Sequence, residues 1–195
     1  MFCLPQKFYS REVTLVAREL LGMRLVRKIG EHRVSGLIVE AEAYRGEEDL
    51  ACHARHGRTR RTEVMYGEAG KAYVYFTYGM HWLFNVVCGE VGFPAAVLVR
   101  SILPVEGLEI IQQNRAGRLK SEWTNGPGKL TQALQVTGSM NCVDLTNQEG
   151  NLWIENGEPV PDSNVHTGAR IGLGATPEPW KSIPWRFNAM MTGLT

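Results

Sequence analysis

Short apolar runs, many of them rich in β-branched and aromatic residues, alternate with polar stretches along the chain. The runs at 23–29 and 33–44 flank a three-residue polar turn and predict a β-hairpin. The runs at 71–78 and 82–88 predict a second hairpin, with a short and bulky tip at Gly79-Met80-His81. The remaining predicted strands are 94–104, 152–155, 169–174 and 185–190.

Three segments show helical spacing instead. Apolar residues recur with the helical period over 13–21, between a predicted N-cap at Ser10 and a stop at Gly22. Segments 105–116 and 129–136 have the same character. These three segments therefore predict helices that pack against the predicted strands.

The polar stretch 45–63 has no clear periodicity, which predicts an exposed loop with at most one short helix. No linker separates two apolar cores, so residues 1–195 are expected to form a single domain. The order of the elements predicts an α+β fold, with a curved, mainly antiparallel sheet flanked by helices.

Composition narrows the class of protein. The chain is 44% apolar and 21% charged, as in soluble globular proteins, and it lacks an apolar run near ~20 residues that could span a membrane. Its four cysteines are scattered without a C-x-x-C pair, which argues against both a zinc clip and a disulfide framework. The N-terminal residues lack the apolar core of a signal peptide. We therefore expect an intracellular protein that binds neither metal nor membrane.

The net charge of +1 by itself argues against a nucleic-acid partner. The charges are unevenly distributed along the chain, however, and this distribution removes the objection. Segment 52–61 contains four arginines and no acid, and segment 111–132 has an excess of three positive charges. Segment 133–162 contains five acids and no Lys or Arg. Such a polarised surface is able to bind phosphates on one face, although a basic segment is more often simply a solvated face.

Candidate chemistry begins in the segment VEAEAY at 39–44. On a strand, Glu40, Glu42 and Tyr44 share one face. This is either a solvated face or a partly buried site in which a carboxylate acts as a general base. Arg100 lies inside an apolar predicted strand and needs an acidic partner if it is buried, for which Glu42 is the candidate.

Two further groups of residues have a possible chemical role. The Cys52-His53 pair and His56 match no standard zinc spacing, so we interpret these histidines as ligand-orienting or loop residues. Tyr78 lies at the predicted hairpin tip beside the arginine-rich loop, which favours stacking on bases or insertion into a duplex. The alternative is that the hairpin folds back into the core.

Taken together, these residues resemble the alkyladenine (3-methyladenine, or methylpurine) DNA glycosylase family. The matching segments follow the family's order and span about residues 20–190. They are LLGMRLVR at 20–27, VEAEAYRGEEDLACHARHGRT at 39–59, AYVYFTYGMHWLFNVV at 72–87, AAVLVRSILPVEGLE at 95–109, NGPGKLTQAL at 125–134 and ARIGLG at 169–174.

The resemblance implies a base-excision-repair enzyme that flips a damaged purine out of duplex DNA and hydrolyses its N-glycosidic bond. The implied lesions are 3-methyladenine, 7-methylguanine, hypoxanthine and ethenoadenine. The enzyme would be monofunctional, leaving an abasic site without AP lyase activity. It would need no cofactor, act as a monomer on double-stranded DNA, and work in the cytoplasm or nucleoid, or in the nucleus of a eukaryote.

The resemblance also implies catalytic roles for three residues. Glu42 falls on the general base that deprotonates the attacking water. Arg100 and the backbone carbonyl of Ile171 would hold that water. The physical interpretation of Glu42 and Arg100 agrees with this assignment.

The remaining implied roles concern DNA. Tyr44, His53 and Tyr75 fall on positions that contact the flipped base, where a cationic purine gains on the order of 0.5–2 kcal/mol from cation–π attraction. Asn85 falls on the position that would clash with the 2-amino group of normal guanine. Tyr78 falls on the residue at the tip of a protruding hairpin that inserts into the DNA. The distribution of charge along the chain makes five basic residues the candidates for contact with the DNA backbone: Arg55, Arg58, Arg60, Arg61 and Lys129.

Two other functions fit parts of the pattern. A catalytically silent module would use the same pocket to bind lesions without releasing a base. A hydrolase of free purine nucleosides would use the carboxylate, but would leave exposed Tyr78 and the arginine run without a role.

Overall fold

Eight strands form one sheet in the computed structural model, which describes residues 2–190. Met1 and residues 191–195, which the sequence assigns to the same domain, lie outside the described residues. The strands are β1 (Arg24–Ile29), β2 (His32–Arg45), β3 (Ala72–Thr77), β4 (His81–Val87), β5 (Ala95–Glu106), β6 (Leu152–Glu155), β7 (Val165–Gly168) and β8 (Arg186–Ala189).

The sheet is built around β2, and the strand pairings described are antiparallel. The strand order is β3-β4-β5-β2-β1-β6, with β8 also paired to β2 and β7 paired to β8. The first part of β2 pairs with β1, and Glu40–Glu42 pair with β8 while β5 runs along the other side. Residues in the middle of β2 are therefore flanked on both sides, which buries them.

Four α-helices accompany the sheet over the described residues: α1 (Gln6–Tyr9), α2 (Val13–Glu19), α3 (Leu108–Asn114) and α4 (Pro127–Ala133). Helix α2 packs on β2 and β5, and α4 packs on β4 and β5. Their apolar faces complete one main hydrophobic core with the inner side of the sheet. The predicted α+β fold with a mainly antiparallel sheet is confirmed.

The first long helix differs from the prediction in its cap. The N-cap is Glu12, whose carboxylate accepts hydrogen bonds from the N–H groups of Thr14 and Leu15 at 2.7 and 3.1 Å. Ser10 was predicted in this role, but it ends α1 and its hydroxyl donates to the carbonyl of Gln6 at 3.1 Å. Ser10 is therefore the C-cap of α1 and does not cap the N-terminus of α2.

Residues 169–174 were predicted as a strand, and this prediction is wrong. Strand β7 ends at Gly168, and the following residues form turns. Gly172 and Gly174 have φ angles of 80° and 56°, a left-handed conformation that a strand does not contain. This turn segment bears directly on the candidate site.

The polar stretch 45–63 forms a loop with one short 3-10 helix at His53–His56, as predicted, and a second begins at its end, at Glu63–Tyr66. A small cluster that includes Cys52, Ala54, Met65 and Tyr66 packs this loop onto the outer side of the sheet. The loop therefore has a defined position beside the β3–β4 hairpin.

Candidate active site

A cavity of about 300 Å³ lies between the sheet, the 45–63 loop and the 169–174 segment. Seven residues to which the resemblance assigns a role line it: Tyr44, His53, Tyr75, Tyr78, Asn85, Arg100 and Ile171. The structure therefore brings together the predicted base-contacting, wedge and water-holding positions. Their roles in DNA chemistry stay predictions.

Glu42 lies behind this lining, in the middle of β2 and opposite Leu98 of β5. Its exposed fraction is 0%. Three donors hold the carboxylate: the Tyr44 hydroxyl at 2.8 Å, the Ile171 N–H at 2.7 Å and Arg100 Nη1 at 3.4 Å. A carboxylate buried this deeply needs such partners, and each of these three residues also lines the cavity.

Burial raises the pKa of Glu42 above its ordinary value. The charge of Arg100 and the hydrogen bonds from Ile171 and Tyr44 lower this pKa but do not cancel the effect of burial. A raised pKa makes the ionised carboxylate a stronger base. The site is therefore suited to take a proton from a water at the end of the cavity.

Arg100 bridges two carboxylates rather than one. The register between β2 and β5 shifts on both sides of Glu40, which brings the Arg100 side chain between Glu40 and Glu42. Its Nε lies 3.0 Å from Glu40 Oε1, closer than the predicted contact with Glu42. Glu40 also pairs with Arg186 at 3.2 Å. The predicted Arg100–Glu42 pair is present, as part of a larger charge network.

Aromatic rings form the opposite wall of the cavity. His53 Nδ1 lies 2.8 Å from the Tyr73 hydroxyl, and the His53 and Tyr75 rings meet edge to face with centroids 4.6 Å apart. Burial lowers the pKa of His53 to about 4, helped by the charges of Arg61 and Arg55. The imidazole is therefore neutral at pH 7 and does not repel a cationic base.

Tyr73 is a cavity residue to which the sequence analysis assigned no role. It shares a face of β3 with Tyr75, since the two are separated by one residue, so strand alternation was the available signal. Asn85 lies opposite Tyr73 on β4, is 4% exposed, and donates its side-chain amide to the Tyr73 carbonyl at 3.1 Å. This bond fixes the orientation of the amide beside the space a base would occupy.

Sequence reasoning also missed the buried pair Asp49–Arg170. Two short contacts, 2.5 and 2.9 Å, join the carboxylate to the guanidinium, and both side chains are 0% exposed. The guanidinium lies over the Tyr44 ring at 4.6 Å. The two residues are 121 positions apart, so no local pattern connects them.

The predicted DNA-backbone cations, called the rim cations below, lie on the 52–61 loop and on α4, two elements that also contribute residues to the cavity lining. Their side chains differ in how firmly they are held. Arg55 donates to the Leu50 carbonyl at 3.0 Å, and Arg58 pairs with Glu63 at 3.6 Å. Arg61 lies over the Tyr75 ring at 4.7 Å.

Lys129 and Arg60 are the other two rim cations. Lys129 contacts Asn125 at 2.8 Å and Glu122 at 3.7 Å on the segment leading into α4. Arg60 is exposed and has no salt-bridge partner among residues 2–190. Its charge is therefore fully available to a ligand.

The β3–β4 hairpin projects its tip into solvent. Tyr78 is 79% exposed and Met80 is 67% exposed, so the tip does not fold back into the core. Tyr78 has a φ of 51°, an unusual conformation for a non-glycine residue. Tyr78 also lines the cavity, so this exposed residue stands at the mouth of the cavity.

Residues 2–190 contain neither an arrangement of metal ligands nor a helix that could cross a membrane. No group of three or more His, Cys, Asp or Glu side chains within that range is arranged to hold a metal ion. No helix within it is long and apolar enough to cross a membrane.

Comparison with known proteins identifies the family. The family described as Methylpurine-DNA glycosylase (MPG) matches residues 7–192. A relative from Carboxydothermus hydrogenoformans named "Putative 3-methyladenine DNA glycosylase" is 47% identical over 184 residues, which cover 94% of this chain and 93% of the relative. A relative of the same name from Myxococcus xanthus is 49% identical over 184 residues, which cover 94% of this chain and 88% of the relative. A relative of the same name from Bacillus subtilis is 45% identical over 185 residues, covering 94% of this chain and 91% of its own. The chain belongs to the methylpurine-DNA glycosylase family.

Proposed function

We propose that this protein removes damaged purines from duplex DNA as a monofunctional, monomeric glycosylase. The observation that carries the proposal is Glu42, a carboxylate with 0% exposure held by three donors at the end of an aromatic cavity. Its raised pKa and position suit a general base for water. Family membership adds purine lesions in DNA as the substrate class.

In the proposed reaction, the damaged nucleotide leaves the duplex and enters the cavity between Tyr44, His53 and Tyr75. Extrusion costs a few kcal/mol of stacking and pairing. Tyr78 at the exposed hairpin tip offsets part of this cost by filling the vacated space. Asn85 rejects a normal guanine through its fixed amide, and the rim cations neutralise nearby phosphates.

The chemical step then uses one carboxylate. Glu42 accepts a proton from water as the water oxygen bonds to the sugar C1′ and the N-glycosidic bond breaks. The purine leaves with the bonding electrons, and a cationic alkylated purine leaves as a neutral base without prior protonation. Arg100 and Ile171 keep Glu42 and the water in line. The product is an abasic site in an uncut strand.

A base-release panel tests the proposal. Duplexes carrying 3-methyladenine, 7-methylguanine, hypoxanthine or ethenoadenine are incubated with the protein and with Glu42→Gln under single-turnover conditions. Release of free base by the native protein and not by the variant, without strand cleavage, supports the proposal.

The same panel separates the two alternatives. Tight, salt-sensitive binding to a damaged duplex with no base released by the native protein indicates a lesion-binding module. Release from mononucleosides but from no duplex indicates a nucleoside hydrolase. Either result rejects the proposed function.

A further inference from the structure

Asp49 and Arg170 form a fully buried ion pair that the proposed reaction does not use. Both side chains are 0% exposed, with contacts of 2.5 and 2.9 Å. Burying two charges carries a desolvation penalty that often equals or exceeds their attraction, so such a pair is weak evidence of stabilisation. A role in fixing geometry is the better explanation to pursue.

The pair contacts two walls of the cavity, the 45–63 loop and β2, and Asp49 Oδ2 also accepts a hydrogen bond from the Arg45 N–H at the end of β2, at 3.4 Å. Asp49 Oδ1 accepts a hydrogen bond from the Ala51 N–H at 3.0 Å, at the start of the segment that carries Cys52 and His53. Arg170 donates to the carbonyl of Ala43 on β2 at 2.9 Å. The pair therefore ties the loop that presents His53 to the strand that presents Glu42.

Arg170 makes further contacts that connect the 169–174 segment to the rest of the fold. Arg170 also donates to the Trp180 carbonyl at 3.1 Å, and its guanidinium lies 4.6 Å from the Tyr44 ring centre and 5.2 Å from that of Trp185. Residues 169–174 belong to no strand, so sheet hydrogen bonds do not hold them. The next residue, Ile171, directs its N–H to Glu42 Oε1 at 2.7 Å.

We propose that Asp49 and Arg170 are positioning residues: their ion pair holds the Ile171 N–H against Glu42 and sets the distance between the general base and the base-contacting His53. The inference rests on the proposed function, in which Glu42 activates the water. Its chemical content is specific. Loosening the pair weakens one hydrogen bond to the ionised carboxylate, and the pKa of Glu42 then rises further.

The other charged and titratable groups near Glu42 lie on the strands of the sheet. Arg100 comes from β5, Glu40 and Tyr44 come from β2, and Arg186 of β8 acts through Glu40. Tyr75 of β3 is close enough for the charge of Glu42 to contribute to the raised pKa of its hydroxyl. Of these, only Tyr44 touches Arg170, through its ring. Arg186 also donates to the carbonyl of Ala169, the residue before Arg170, at 2.8 Å. A shift in the titration of Glu42 after a change in the pair is therefore transmitted through Ile171, Tyr44 or Arg186.

The test compares pH–rate profiles for excision of 7-methylguanine under single-turnover conditions. The main variant is Asp49→Asn with Arg170→Gln, which removes both charges together and leaves no unpaired buried charge. We expect the acid limb to move up by about one pH unit, since a hydrogen bond to a charged group is worth about that much. We also expect the plateau rate to fall about tenfold or more as the carboxylate loses its orientation.

Two reference variants make the result specific. Tyr44→Phe removes a different donor to Glu42 and calibrates the shift that one lost hydrogen bond produces. Glu155→Gln disrupts another pair with a buried acid, Arg33–Glu155 at 2.5 Å, whose residues do not line the cavity. It should lower the melting temperature while leaving the acid limb where it is.

An unchanged acid limb in the folded double variant, with activity reduced equally at every pH, overturns the inference and assigns the pair a purely structural role. If the double variant does not fold, Arg170→Lys decides, because it keeps the charge opposite Asp49 but loses the paired hydrogen bonds and the planar stack. An unchanged acid limb in that variant also overturns the inference. Failure of the native protein to release any base would instead reject the proposed function itself.

Discussion

The floor and the rim of the cavity are built on opposite principles. The floor is the charge network directly behind the cavity lining: the side chains of Glu42, Asp49 and Arg170 are fully buried and hydrogen-bonded there, and Arg100, which lines the cavity, is 12% exposed between two carboxylates. On the rim, the arginines of the 52–61 loop and the hairpin tip are exposed and sit on loops. The group that would react with water is thus held by the sheet, while the groups that would meet DNA are free to adjust.

This contrast predicts that the two regions fail in different ways. Changes on the floor should alter the rate of the chemical step, because geometry there is fixed by several mutual contacts. Changes on the rim should alter DNA binding or flipping and leave the folded state almost untouched.

The largest expected effect is that of Glu42→Gln. Loss of the general base should slow base release by about 10²–10⁴-fold in single-turnover assays. The melting temperature at pH 7 should be no lower than that of the native protein. Burial raises the pKa of Glu42, so its ionised form is disfavoured by folding and costs stability above that pKa. A large drop in melting temperature would contradict this account of the site.

The next effect concerns the rim. Tyr78→Ala should reduce flipping of the damaged base about tenfold or more, since stacking of one base on an aromatic ring is worth about 1–3 kcal/mol. Stopped-flow fluorescence of a base analogue beside the lesion measures this step separately from DNA association. Val91→Ala, at another exposed apolar residue (71%), is the matched control. Normal flipping in the Tyr78 variant would overturn the wedge assignment.

The pH dependence separates two titratable groups of the cavity. The rate should fall on acidification with a midpoint above 4.5, the ordinary value for a glutamate, because the pKa of Glu42 is raised. His53 should stay neutral down to about pH 4, so its protonation adds to the fall in rate only at the acid end of this limb. The stability contributed by neutral His53 is complete above pH 6.5 and declines as pH falls toward 4. If an NMR titration gave the His53 imidazole a pKa midway between 4 and 6.5, or higher, it would contradict the burial of this ring.

The smallest effect is expected from single rim charges. Arg60→Gln should weaken binding to undamaged duplex a few-fold and reduce the slope of log affinity against log salt by about 0.9, the contribution of one phosphate contact. Arg58→Gln should do less, since Arg58 already pairs with Glu63 and lies over Tyr66. Equal slopes for the two variants and the native protein would mean that this loop does not touch the backbone.

Local patterns were enough to locate much of the site. Strand alternation placed Glu42 and Tyr44 on one face of β2, and an arginine within an apolar strand needed an acid, which identified Arg100. The hairpin with an exposed Tyr78 was equally readable from two β-branched and aromatic runs. Each of these features depends on neighbours within a strand or a turn.

Features that depend on contacts between residues far apart in the chain could not be predicted from the sequence. The sequence ARIGLG at 169–174 has the pattern of a strand, but the strand that pairs with β8 is formed by the preceding residues, 165–168. In addition, the Arg170 side chain is buried in the ion pair with Asp49. Glu40 was expected only to share a face with Glu42, yet it is the nearer partner of Arg100 because the β2–β5 register shifts beside it. Both corrections arise from tertiary contacts that override a local pattern.

The central position of β2 has a consequence for how the protein unfolds and loses activity. Its residues Glu40–Glu42 pair with β5 on one side and β8 on the other, so their backbone amides are released to solvent only when most of the sheet opens. In hydrogen exchange these amides should be among the last to be labelled, while the amides of the 52–61 loop exchange early. A partly heated sample should then contain fully competent and fully inert molecules rather than a population of uniformly weakened ones.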